Sequence, residues 1–202
     1  MKQKVTVASL LTVTVIAILL ISSTNLTTIQ AATQAAVLHV DNTTGADGGS
    51  CGTASQPCKT IQGAVNVSVN GDTIRVAAGT YQDNVSCLDN VPAVVCLINR
   101  HLTIRGGYTT SNWNAADPVA NPTIIDGQNA RRVIHLWGGD ANSASLVIEG
   151  VTIQNGRQQG TTSGGDALTF AFGGGLLADR GSVTARNLIC LLYTSPSPRD
   201  SI

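Results

Sequence analysis

Two kinds of apolar pattern divide the chain. Residues 5–21 form a nearly continuous apolar run behind the basic head Met1-Lys2-Gln3-Lys4, and a polar stretch then leads to Ala31-Ala32-Thr33-Gln34-Ala35-Ala36. A positive head, an apolar middle and small residues at the end predict an export signal over residues 1–36, cut between Ala31 and Ala36. Thr6, Ser9, Thr12 and Thr14 dilute the run, which is short for a membrane span. Membrane attachment is therefore expected only if this leader stays uncleaved. From Val37 onward the pattern changes to short β-branched runs separated by Gly, Asn and Asp clusters, which predicts strands joined by tight turns. One segment departs from it. Ile61, Ala64 and Val65 recur at i, i+3 and i+4 and predict a helix over residues 60–67, ended by the turn Asn70-Gly71-Asp72.

Beyond that helix a motif recurs. Asp72-Thr73-Ile74-Arg75-Val76 is echoed by Leu102-Thr103-Ile104-Arg105-Gly106, Thr123-Ile124-Ile125-Asp126-Gly127 and Leu146-Val147-Ile148-Glu149-Gly150. The central isoleucines Ile74, Ile104, Ile125 and Ile148 are separated by 30, 21 and 23 residues. A period in the twenties built on short strands predicts a solenoid. Units so rich in β-branched residues and glycine do not suit a helical one. The expected fold is all-β, a parallel β-helix in which the isoleucines stack inward, the following charge points out and glycine turns the corner. The helix would cap the open end of the stack. This predicts an N-terminal cap and first coil over residues 37–81 and further coils over 82–189. Residues 82–99 and 157–172 would be loops leaving the coil.

Charge and cysteine content narrow the chemistry. Setting aside Lys2, Lys4 and Arg199 from the 12 basic residues, and Asp200 from the 12 acidic ones, leaves a net charge near −2. With no basic stripe, a nucleic-acid partner is not expected. Apart from Cys190, the cysteines fall into two close pairs, Cys51 with Cys58 and Cys87 with Cys96. An even count in an exported chain reads as disulfides, and local pairing is the simplest of the three connectivities. No C-x-x-C spacing is present and His39, His101 and His135 are scattered, so no metal site is expected.

Pro57-Cys58-Lys59-Thr60-Ile61-Gln62, Gly71-Asp72-Thr73-Ile74-Arg75-Val76 and Gly79-Thr80-Tyr81 resemble the opening module of bacterial right-handed parallel β-helix repeat proteins of the pectin-lyase-like fold. Residues 146–156 resemble their repeating coil, and Gly173-Gly174-Gly175-Leu176-Leu177 with residues 182–189 resemble their glycine-rich repeats. The resemblance implies the right-handed fold. It leaves activity open, because the fold serves lyases, hydrolases, adhesins and surface proteins alike. A second resemblance concerns the end of the chain. Cys190-Leu191-Leu192-Tyr193-Thr194-Ser195-Pro196-Ser197-Pro198-Arg199-Asp200 is similar, residue for residue, to translated transposase-adapter sequence used in sequencing libraries. On that reading residues 190–202 are a disordered artefact and the solenoid is truncated at its C-terminal end.

Candidate sites follow from the fold. Pectate lyases of this shape hold calcium with carboxylates on the flank of the β-helix and remove a proton with a basic residue. Asp126 and Glu149 follow stacked isoleucines and would lie one above the other. The equivalent earlier positions are Arg75 and Arg105, and a column Arg, Arg, Asp, Glu suits outward charge pairs along a ladder better than a calcium site. Arg131 and His135 would share one face of a strand, with Arg132 on the other, so Arg131, His135, Asp126 and Glu149 are the acid–base candidates. Tyr108, Trp113 and Trp137 are the candidates for stacking on sugar rings, or else for packing under loops. The expected function is an exported, non-enzymatic protein, secreted or at the cell surface or outer membrane, that binds polysaccharide or other cell-envelope partners. It needs no cofactor, calcium being the one cation the resemblance admits. The alternative is a pectate-lyase-like enzyme whose catalytic coils lie in the missing C-terminal part.

Overall fold

The computed structural model describes residues 35–87, 91–139, 144–157 and 174–191. These are mostly strand, with one short helix, and the strands lie in three largely parallel sheets. Sheet 1 contains β1 (Val37–Val40), β2 (Thr73–Ala77), β6 (His101–Tyr108), β9 (Ser145–Glu149) and β12 (Ser182–Arg186), in that order. Sheet 2 orders β3 (Gly79–Tyr81), β7 (Thr123–Asp126), β10 (Thr152–Gln154) and β13 (Ile189–Leu191). Sheet 3 orders β4 (Val85–Ser86), β5 (Pro92–Ile98), β8 (Arg132–Trp137) and β11 (Leu176–Asp179). From β2 onward the chain visits sheets 1, 2 and 3 in rotation, and every pairing is parallel except β4 with β5.

The register corrects the expected ladder in one place. Ile74, Ile104 and Ile148 stack directly in sheet 1, continued by Ala185. Ile125 does not belong to that column. It lies in sheet 2 between Tyr81 and Ile153. These side chains, with Val95, Leu97, Ile134 and Leu136 from sheet 3, form one buried core enclosed by the three sheets.

Helix α1 (Ile61–Val67) forms where expected. Thr60 caps it, its hydroxyl accepting from the Gly63 amide at 2.8 Å, and Ile61, Ala64 and Val65 are buried. The helix packs against β1, β2 and β5. Residues 82–99 are not a loop, because Pro92–Ile98 is a strand with Ala93, Val94, Val95 and Leu97 fully buried. The apolar run from Ala93 to Ile98 had the length and β-branching of a core strand. Of the second predicted loop, residues 158–172 lie outside the described residues.

Cys51 pairs with Cys58 and Cys87 with Cys96, with Cα–Cα separations of 4.8 and 5.7 Å. Two disulfides belong to an oxidising environment. Among the described residues no helix is long and apolar enough to cross a membrane. The expected disordered tail starts too early, since Cys190 and Leu191 are part of β13.

Candidate functional site

The four acid–base candidates do not meet. Asp126 ends β7 in sheet 2, where its register partner is Gln154, and it does not stack on Glu149 of sheet 1. Its Oδ1 accepts from the Gln128 amide and Asn155 Nδ2, and its Oδ2 accepts from Gln82 Nε2. Burial alone would raise its pKa, but these donors outweigh that and hold it below the usual carboxylate range. A carboxylate bound by N–H groups on both oxygens fixes a turn. It is a poor start for a calcium cage, which needs converging oxygens.

Arg131 lies in the turn before β8 and donates from Nη1 to the carbonyls of Gln82 and Asp83. His135 is buried in sheet 3 between Cys96 and Leu177. Arg132, not Arg131, approaches His135, with Nη1 and Nδ1 3.4 Å apart. Arg131 precedes the strand, so strand alternation does not govern where its side chain lies. Burial depresses the Arg132 pKa. The closest ligand-type cluster elsewhere, Asp47 with Cys51 and Cys58, offers no thiolate, because both sulfurs are in a disulfide.

The aromatic candidates are also separated. Trp137 ends β8 in sheet 3, half-buried, with the Arg180 guanidinium 5.4 Å from its ring centre. Tyr108 and Trp113 come together on the outer side of sheet 1, where both are buried and their ring centres are 6.3 Å apart. Trp113 also meets His39 edge-on at 4.7 Å, and the Arg75 guanidinium lies 5.4 Å from the Tyr108 ring centre. His39 has a lowered pKa, first because it is buried and further because Arg75 faces it, opposed by its hydrogen bond to the Gly52 carbonyl.

A β-bulge places this cluster. Arg75 pairs with Arg105 but Ala77 pairs with Tyr108, so β6 carries one extra residue at Gly106-Gly107. Tyr108 is four positions after the inward Ile104, and an unbroken strand would turn it inward too. The extra residue reverses the alternation and directs Tyr108 outward onto Arg75. Only glycine suits the corner, since a Cβ at Gly106 would lie 2.4 Å from the Gly150 carbonyl oxygen.

The outer face of sheet 1 is the best-formed candidate site. His39, Arg75, Arg105, Glu149 and Arg186 occupy successive strands in register. Arg105 Nε pairs with Glu149 Oε2 at 2.9 Å, partly exposed. Beside this row is an open groove of about 250 Å³ lined by Arg105, Tyr108, Pro118, Glu149 and Asn187. Arg186 and Asn187 were missed because the isoleucine ladder was counted only to Ile148. Aligning Ser182–Arg186 on Ser145–Glu149 would have extended the row by one strand.

A second feature missed from sequence is Asp83. Burial and then the nearby Asp47 carboxylate push its pKa up to about 6, against the pull of Arg131 and Lys59, and its Oδ2 is buried without a hydrogen-bond partner. A raised carboxyl pKa stabilises the fold below the unfolded value of 3.8, and that stabilisation is lost as pH rises through about 6. The shift would correspond to about 3 kcal/mol for a fully enclosed group. Water reaches part of Asp83, which reduces the expectation to about 1 kcal/mol. Asp83→Asn should therefore be more stable than the parent above pH 7 and equal to it at pH 4. Thermal melts of the two proteins across that range that run parallel would remove Asp83 as the cause.

Stacked parallel strands around one core, bearing an outward row of charges, define an all-β architecture, and among the described residues Asp126, Arg131, His135 and Glu149 do not converge. The family model described as "Protein of unknown function (DUF1565)" matches residues 43–172, and the chain belongs to that family. No curated protein and no solved structure matches it.

Proposed function

We propose that the protein is an exported right-handed parallel β-helix, secreted or held at the cell surface, that binds an acidic polysaccharide along the outer face of sheet 1 without cleaving it. Rotation through three parallel sheets favours the β-helix, and parallel crossovers are right-handed in about 98% of cases. The leader and the two disulfides favour export. The observation that carries the binding reading is the row Arg75, Arg105, Glu149, Arg186 beside the groove. Neighbouring strands are roughly 4.8 Å apart, so a polymer with repeating carboxylates meets repeating guanidinium groups, which bind carboxylates in a fork. Binding without cleavage is favoured by the dispersal of Asp126, Arg131, His135 and Glu149 over different sheets and turns.

Calorimetric titration with polygalacturonate, and with dextran as a neutral control, tests this reading. Acidic polymer alone should bind, more weakly at high salt. Arg186→Ala should weaken binding about fivefold, the equivalent of roughly 1 kcal/mol. Glu149→Gln should strengthen it by removing the one negative charge of the row. Equal binding of dextran, or none of either polymer, would sink the proposal. Accumulation of unsaturated-sugar absorbance would favour the lyase alternative.

A further inference from the structure

Residues 109–122 leave sheet 1 after Tyr108 and return to sheet 2 at Thr123. Within this excursion Trp113 is the single buried side chain; Thr110, Ser111, Asn112 and residues 114–117 are exposed. Most of its hydrogen bonds are local. The Asn112 amide donates to Thr109, the Asn114 amide to Asn112 Oδ1, and the Val119 and Ala120 amides to Asp117 Oδ1. Such a self-contained loop has the character of a unit held by its ends and one plug.

The root is firm. Asp117 donates its amide to the Gly107 carbonyl at 2.8 Å, and Pro118 lies against Gly107 and Gly150. The plug is less well satisfied. Arg75 Nη1 donates to the Trp113 carbonyl, yet Arg75 Nε and Trp113 Nε1 are buried N–H donors without acceptors. Unpaired buried donors weaken docking, because exposure to water or to a ligand oxygen would satisfy them. The same loop lines the groove through Ala116 and Pro118, so an occupant of the groove touches it.

We infer that residues 109–116 form a flap that swings off sheet 1 on its Gly107–Asp117 root and uncovers Arg75 and Tyr108 as a further subsite for a carboxylate-bearing sugar. This rests on the binding reading above and deepens it. With the flap down, Arg105 and Arg186 are the exposed arginines of the row, while Arg75 is half-buried beneath Trp113. With the flap up, the row gains a third arginine with an aromatic ring beside it. The guanidinium takes the carboxylate and the Tyr108 ring takes the apolar face of the sugar.

Two measurements on the full chain decide the matter. In native-state hydrogen exchange, the amides of Asn112 and Asn114, whose bonds lie within the flap, should exchange at least about a hundredfold faster than those of β6, through local opening, while the root amide of Asp117 stays protected. Exchange as slow as β6 would overturn the flap whatever the ligand does. The second measurement uses Trp137→Phe, which leaves Trp113 as the sole tryptophan. Saturating tetragalacturonate should at least double acrylamide quenching of Trp113 and shift its emission to the red. Calorimetric binding with unchanged quenching would overturn the inference while leaving the binding reading intact. Tighter binding by Trp113→Ala than by the native chain would support the flap, which then partly masks the subsite in the native chain. No binding by native protein or Trp113→Ala would overturn both readings.

Discussion

Ile104→Ala is expected to lower the free energy of unfolding by roughly 3–4 kcal/mol, the largest effect of any single truncation considered. Ile104 is fully buried and sits between Ile74 and Ile148, so its loss opens a void with stacked neighbours above and below. Rigid backbone ladders on both sides limit how far the gap can close. Urea denaturation gives the comparison directly. Ile124→Ala is the control, since Ile124 is half-buried in sheet 2 and should cost less than about 1 kcal/mol. Equal costs at the two positions would contradict the stacking described for sheet 1.

Removal of both disulfides should cost about 5 kcal/mol in total. Cys51 and Cys58 are 7 apart in sequence and Cys87 and Cys96 are 9 apart. Loop-closure entropy for rings of this size gives roughly 2.5 kcal/mol each. For a chain of this length, about 5 kcal/mol lowers the melting temperature by roughly 10–20 °C. Melts of the double pair variant, with all four cysteines replaced by serine, check the figure against the parent. A fall of only a few degrees would mean that the two loops are already held by their backbone hydrogen bonds, such as those from the Cys58 amide to the His39 carbonyl and from the Cys87 amide to the Val91 carbonyl.

What could be read in advance, and what could not, follows from range. The helix depended on residues within one turn of each other, Ile61 with Ala64 and Val65, and Thr60 supplied its cap. The local disulfide pairs were legible for the same reason. The stacking of Ile74, Ile104 and Ile148 was legible because each sits in the same short motif. Ile125 was misread because its motif resembles theirs, while register is set by pairing across distant strands. The true advances along that column are 30, 44 and 37 residues, from Ile74 to Ile104, Ile148 and Ala185. Insertions at different corners make those lengths unequal, and spacings of 21 and 23 imitated a period that does not exist.

The candidate site shows the same division. Arg75 and Arg105 were recognised as equivalent, and Tyr108 and Trp113 as neighbours, and the structure keeps both relations. Placing Asp126 over Glu149 inherited the error at Ile125. Tyr108 required knowledge of the bulge, and nothing in Gly106-Gly107 alone says on which side of the pair the extra residue falls. Asp83 gave no local signal, because its environment is assembled from Asp47, Lys59 and Arg131.

The bulge in β6 also has a consequence for engineering. The strand carries two reading frames: up to Arg105 its alternation is dictated by the column above and below, and after Gly107 it is released from that constraint. Sequence changes beyond the junction therefore do not propagate into the inward column. Residues 109–116 can be treated as a cassette, open to exchange for loops of other length and chemistry while Ile104 continues to specify the architecture.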